Sequence, residues 1–328
     1  TGMQIFPDVS PDGTKLSYQS IRVKSKVHSG DLNIKFFDDE TKAFRLNARG
    51  GIAKWSPDGK KIAFVRPFGN RLNLLAVDVN SRNEIQISNK EVFTDRYFAT
   101  PFYTAGNYFN WSPDGSRIAF AVKHDGIINL WTKNADGSGE QMLTQNRDEK
   151  LRIDSPVWSP QGDRIAHITR IPPMNSAEKW QYGVAVVEAG QSRPIYQGEK
   201  QIKLLGWSVT GGEIFIAAQD ANVRTDINLL KITTDKNENP KQIARVSNAN
   251  LYSLVLSNDG KQAAFAAAVD GADNLFVCSN ETGTLRRLTV NPDPMLLYSG
   301  LNWSPDAKSL FYSKQTGGLR ISMINTPK

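Results

Sequence analysis

The chain has little of what most enzyme sites are built from. Its one cysteine, Cys278, excludes an intramolecular disulfide and leaves the redox compartment open. Its three histidines are His28, His124 and His167, and no two of them stand at metal-ligand spacing. No apolar run approaches the roughly 20 residues that cross a bilayer as a helix. There is no G-x-S-x-G nucleophile elbow and no glycine-rich phosphate loop. The stretch "NADGSGE" (134–140) misses the spacing of a calcium loop and reads as a polar hairpin. No cofactor or metal is expected.

Charge is equally sparing. Forty Lys and Arg stand against 33 Asp and Glu, a formal charge of +7 in 328 residues. That permits an anionic ligand or partner, but the basic blocks of a nucleic-acid binder are missing. No segment carries a convincing helical period, and the opening "TGMQIFPDVSPDG" has no charged leader followed by an apolar core.

What the chain does have is a repeat. The fragment "WSPDG" at 111–115 returns in seven versions, aligned on Ser10, Ser56, Ser112, Ser159, Ser208, Ser257 and Ser304. The spacings are 46, 56, 47, 49, 49 and 47 residues, a period that marks a solenoid, propeller or array. Each period holds short β-branched and aromatic runs bounded by Gly, Asn, Asp and Pro: "KIAFVR" or "RIAFAV", then "LNLLAV" or "INLWTK", then "IQIS" or "RRLT". Four antiparallel strands repeated radially predict an all-β, seven-bladed β-propeller, with blades starting near 6, 53, 109, 156, 205, 254 and 301. Pro presets one turn dihedral and Gly supplies the left-handed one, so the motif closes a hairpin. Trp55, Trp111, Trp158, Trp207 and Trp303 precede five of the serines, with Val9 and Leu256 in the other two places. Large side chains there fill the wedge between blades and read as core. His167, where other copies have Phe64, Phe120 and Phe265, reads as packing, and Cys278 as a small buried hydrophobe.

The W-S-P-D-G turn followed by "KIAF" resembles the TolB-like β-propeller repeat, also found in propellers of prolyl-oligopeptidase-type enzymes. The resemblance covers essentially the whole chain. It departs from TolB in lacking a preceding α/β domain, and from the peptidases in lacking a hydrolase domain after the last repeat. The last repeat, "SLFYSK" then "GLRISMIN", lacks an outer strand, and too few residues precede Val9 to supply it. A single propeller domain over 1–328 within a longer protein is therefore expected.

Loops that join second to third strands, and one blade to the next, share one face, opposite the WSPDG turns. The irregular loops gather on that first face. The insertion 89–110 carries Phe93, Arg96, Tyr97, Phe98, Phe102, Tyr103 and Tyr108; blade 4 has a long loop, 170–183, with Arg170 and Trp180; Arg66 belongs to blade 2. Long aromatic loops on a rigid frame suit binding, and the second-to-third loops hold ten basic against six acidic residues. These residues form the candidate site for a protein partner or a small anionic or peptide ligand. The alternative is that the insertion folds back and its aromatics only pack. The resemblance implies a non-catalytic recognition or sensor domain of a bacterial envelope or signalling protein, in the periplasm or cell envelope, with a cytoplasmic location also open. Two other readings stand beside it: a propeller enzyme, lyase or hydrolase-associated, with its site in the channel mouth, and a structural scaffold subunit.

Overall fold

Seven antiparallel sheets follow one another along the chain in the computed structural model, which describes residues 3–21, 30–38, 43–68, 71–92, 108–219, 226–236, 238–296, 298–315 and 319–326. Blade 4 shows the pattern: an inner strand Arg152–Trp158, then Arg164–Ile171, Gln181–Glu188 and an outer Gln191–Gly198, hydrogen-bonded in chain order. Six blades have four strands, and the seventh has three, Tyr298–Trp303, Ser309–Gln315 and Leu319–Asn325. The one helical element among the described residues is a single 3-10 turn, Leu251–Ser253. Blades 1 and 2 are not separated as the repeat suggests. One 13-residue strand, Ala43–Trp55, serves as the outer strand of blade 1 and runs on as the inner strand of blade 2.

The repeated turn is a hydrogen-bonded clasp. Ser112 Oγ donates to Asp114 at 2.5 Å and accepts from Arg117 N at 2.9 Å, which ties the inner strand to the second. Hydrogen bonds from Ser112 and Ser116 hold the Asp114 carboxyl down to about 2. Equivalent clasps form at Ser10, Ser56, Ser257 and Ser304; in blade 4, where Gln161 takes the aspartate's place, Asp163 receives the Ser159 hydroxyl instead. Around the ring, Pro11, Pro57 and Pro113 lie against the turn glycines of the next blade.

The tryptophans are core, and they also latch neighbouring blades. Trp55, Trp111, Trp207 and Trp303 each donate Nε1 to a backbone carbonyl of the preceding blade, at Asp8, Lys54, Val157 and Val255. The buried Nε1 of Trp158 makes no such bond. Arg117 lies 4.8 Å over Trp158 and Arg164 5.2 Å over Trp207, so a cation from the blade before covers each ring.

A second repeated device pins the outer strands. Asn129 Oδ1 accepts from Thr144 Oγ1 and Asn146 N, and Asn274 Oδ1 accepts from Thr289 Oγ1 and Asn291 N in the same geometry. The recurring third-strand asparagine is thus a structural clamp.

Blade 7 meets blade 1 without a shared strand. Asn302 Nδ2 donates to Asp8 Oδ1 at 2.9 Å, while Asp8 Oδ2 accepts from Trp55 N, so one carboxylate joins blades 7, 1 and 2. Phe37 stacks on Phe311 at 5.3 Å beside a small cluster of Val9, Leu16 and Phe311. Gly300, at φ +59°, sits where an added methyl would be 3.2 Å from Pro7 Cδ; the equivalent bulge positions in blades 1, 2 and 4 hold Phe6, Ile52 and Ser155 at nearly the same φ, so space at the seam, not the dihedral, favours glycine.

Candidate functional site

The antiparallel strand order puts the ends of Lys61–Phe68, Arg164–Ile171 and Leu285–Arg287 on the face opposite the WSPDG turns. This mouth face is where the candidate residues converge or fail to. Phe93, Arg96, Tyr97, Phe98, Phe102 and Tyr103 lie outside the described residues. Tyr108 is buried among Val92, Phe109 and Trp111 between blades 2 and 3, so it packs and does not line the mouth. Arg66 is likewise engaged within its own blade. Its guanidinium reaches back across its own sheet to Glu84 on the outer strand, at 2.6 and 2.9 Å, and covers the Phe64 ring. Charge pairing across blade 2 takes it away from the mouth.

In blade 4 the candidates Arg170 and Trp180 stand beside two further residues, Arg152 and Asp154. Trp180 stacks on Tyr182 with ring centres 6.2 Å apart, and the Arg152 guanidinium lies 5.1 Å over Trp180. Arg152 and Arg170 face each other across the ladder between inner and second strands. Arg170 is ion-paired with Asp154, itself buried and bonded to the hydroxyl of Ser155. Ser155 holds φ +55° at a bulge that interrupts the inner strand between Asp154 and Val157, and the bulge re-aims the strand beside this pair. The result is a half-buried indole under one arginine, with a second arginine fixed by a carboxylate. Such a set leaves a partly exposed indole with a guanidinium stacked on it at the mouth, held in place by its neighbours.

Sequence reasoning missed Arg152 and Asp154, because only the strand pairing brings them to Arg170. It also missed an apolar fringe. Val290 (86% exposed), Met295 (80%), Phe68 (72%) and Met174 (70%) stand out at the mouth ends of blades 6, 2 and 4. They are four of the ten exposed large hydrophobics among the described residues, spread over three blades that are not neighbours.

The inner strands carry charges as well. Burial pushes the Asp8 carboxyl up to about 6 against the hydrogen bonds it accepts. Burial, and then the charge of Lys54, lower the Lys203 ammonium to about 7, while its Nζ donates to Tyr252 O at 2.7 Å. His167 is buried beside Ser192, and desolvation lowers it to about 4. Burial raises the Cys278 thiol to about 11. His124 is exposed and paired with Asp125. Among the described residues no three His, Cys, Asp or Glu gather as metal ligands would.

The geometry defines a class: a seven-bladed β-propeller of antiparallel blades. The particular likenesses are partial. No family model matches the chain. It is 36% identical to the Tol-Pal system protein TolB of Anaeromyxobacter dehalogenans over 106 residues, 32% of this chain and 20% of that protein. The match spans about a fifth of that relative's length. Among solved structures, oligogalacturonate lyase from Vibrio parahaemolyticus superposes with TM-score 0.70 at 13% identity, covering 100% of this chain and 91% of the lyase. The β-propeller domain of the Trilobed protease from Pyrococcus furiosus, described as having an open velcro topology, superposes with TM-score 0.68 at 12% identity, covering 98% and 95%. At such identities the structures show the fold alone, and the fold hosts both enzymes and non-enzymatic proteins.

Proposed function

We propose that this propeller is a non-catalytic recognition domain that binds a protein partner through the mouth face of blade 4, in a protein of the bacterial envelope or periplasm. The observation that carries it is Arg152 stacked on the half-buried Trp180 beside the Arg170–Asp154 pair. An indole that stays partly open under a cation is a hot-spot element of protein interfaces. Met174, 70% exposed in the same loop as Trp180, supplies apolar area that a partner would cover. The curated relative belongs to a system of interacting proteins by its name, which supports an envelope setting and a protein partner. A non-catalytic role agrees with the state of the described histidines, one buried neutral and one exposed beside a carboxylate.

The test is affinity capture from the native host with the wild-type chain and the double variant Arg152→Gln, Trp180→Ala. Recovery of a co-purifying protein should fall about tenfold or more, because hot-spot truncations cost ~2 kcal/mol or above. Equal recovery by both would count against the mouth of blade 4.

A further inference from the structure

The central channel of a propeller is lined by the free edges of its inner strands, and here those edges are capped from blade to blade. Trp55 N and Trp158 N turn away from their ladders toward the axis. Each donates to a side chain two residues before the serine of the preceding blade, Asp8 at 2.8 Å and Asn110 at 2.9 Å. Side chains at that position therefore lie along the channel. In blade 2 the position holds Lys54, which has donors and no acceptor. Trp111 pairs with Ile118 as Trp55 pairs with Ile62, so its N–H also faces the axis. There blade 2 supplies a second donor in place of a cap.

Lys203 enters the same space from the other side. Blades 2 and 5 stand three steps apart in a ring of seven, close to opposite one another. Lys203 reaches toward blade 6 and donates Nζ to Tyr252 O at 2.7 Å, and Gln201 beside it donates to Tyr252 Oη at 2.6 Å. Both lysines keep part of their surface open to solvent. The charge of Lys54 acts on Lys203 and is, after burial, the second cause of its lowering to about 7. The carboxylates on the neighbouring inner strands are engaged. Asp8 accepts from Trp55 N and Asn302 Nδ2 while it pulls on Lys54. Asp154, five residues before its serine as Lys203 is, pairs with Arg170 and accepts from the Ser155 hydroxyl. Two ammoniums thus stand in the channel against the one carboxylate of Asp8.

We infer that the central channel holds a site for a small polyvalent oxyanion, of the phosphate or sulfate kind, bound between Lys54 of blade 2 and Lys203 of blade 5. Each ammonium would donate to the ion through a charge-assisted bond, the strong class of hydrogen bond. The N–H of Trp111 would gain the acceptor that Lys54 does not supply. A bound anion would also turn the repulsion between the two lysines into a shared attraction. It would hold Lys203 protonated, so that binding above pH 7 takes up a proton. The inference is independent of the mouth of blade 4, because neither lysine belongs to that site.

The test titrates the full chain with sodium sulfate at about pH 8, by calorimetry in two buffers of unlike ionisation heat, with sodium chloride at matched ionic strength as the control. Sulfate should bind with Kd of about 1 mM or tighter and take up a fraction of a proton, and chloride should do neither. Lys54→Gln and Lys203→Gln should each weaken binding about tenfold or more. Lys203→Arg, which keeps a cation that does not titrate, should bind sulfate with no proton uptake. The proposal is overturned if sulfate at about 10 mM binds no better than chloride, if the wild type takes up no proton, or if both glutamine variants bind as the wild type does. Loss in Arg152→Gln with retention in Lys203→Gln would overturn it too, and would assign the ion to the mouth of blade 4.

Discussion

The two faces of this propeller differ in regularity. On the turn face, serine, aspartate, proline and glycine repeat their contacts from blade to blade, and four tryptophans latch onto the blade before. On the mouth face the loops differ in length and composition, and the stacked arginine and indole of blade 4 stand among side chains that follow no repeat. Repetition here records what a ring needs in order to close. Departure from it, in blade 4 at the mouth, records where the surface has been free to specialise.

The largest effect expected from this contrast is on stability. Trp207→Ala removes a buried ring, its bond to Val157 O and the cover of Arg164, and should cost about 3–5 kcal/mol in urea unfolding. Trp180→Ala at the mouth removes a half-exposed ring and should cost about 1 kcal/mol or less. Equal losses would erase the distinction between the faces.

The pH dependence comes next, and two buried groups oppose each other. His167 is lowered to about 4, so its contribution is complete above pH 6.5 and lost as the pH falls toward 4, about 3 kcal/mol in all. Asp8 is raised to about 6, so the folded protein prefers it protonated: its contribution is complete below pH 3.8 and falls as the pH rises through 6. His167→Phe, which restores the residue type of Phe64, Phe120 and Phe265, should flatten the loss of stability between pH 6.5 and 4. Asp8→Asn should remove the opposing slope. A wild-type slope unchanged in His167→Phe would contradict this account of the buried imidazole.

A smaller effect tests the seam. Gly300→Ala places a methyl 3.2 Å from Pro7 Cδ, and should cost about 1–2 kcal/mol. The loss should appear as earlier hydrogen exchange in Met3–Val9 and Tyr298–Trp303, with Gln201–Trp207 unchanged. Uniform change around the ring would show that the seam is no weaker than its neighbours.

The turn face was legible in the sequence because a clasp and a wedge use the same residues each time. Seven aligned serines gave seven blades, and a tryptophan before each of five gave the core positions. The mouth was less legible. The alternation of buried and exposed residues places Arg66 and Arg170 near strand ends, but it does not say which carboxylate each will meet. Glu84 lies two strands from Arg66, and Asp154 lies 16 residues from Arg170. Tyr108 shows the same limit, since an aromatic at the end of an insertion serves equally as core or as rim until the neighbouring blade is in place. The continuous strand Ala43–Trp55 escaped because residues 48–52, "ARGGI", carry the glycines of a turn, yet the chain runs on through a bulge at Ile52 instead of reversing.

The central claim, that recognition belongs to the mouth and stability to the turns, is tested most directly by photo-cross-linking in the native host. A photoreactive phenylalanine would replace Trp180 or Met295 on the mouth face, and Lys60 or Lys308 on exposed parts of the turns. The account predicts a discrete cross-linked protein from positions 180 and 295 and none from 60 and 308. The same adduct from the turn positions, with none from the mouth, would contradict it.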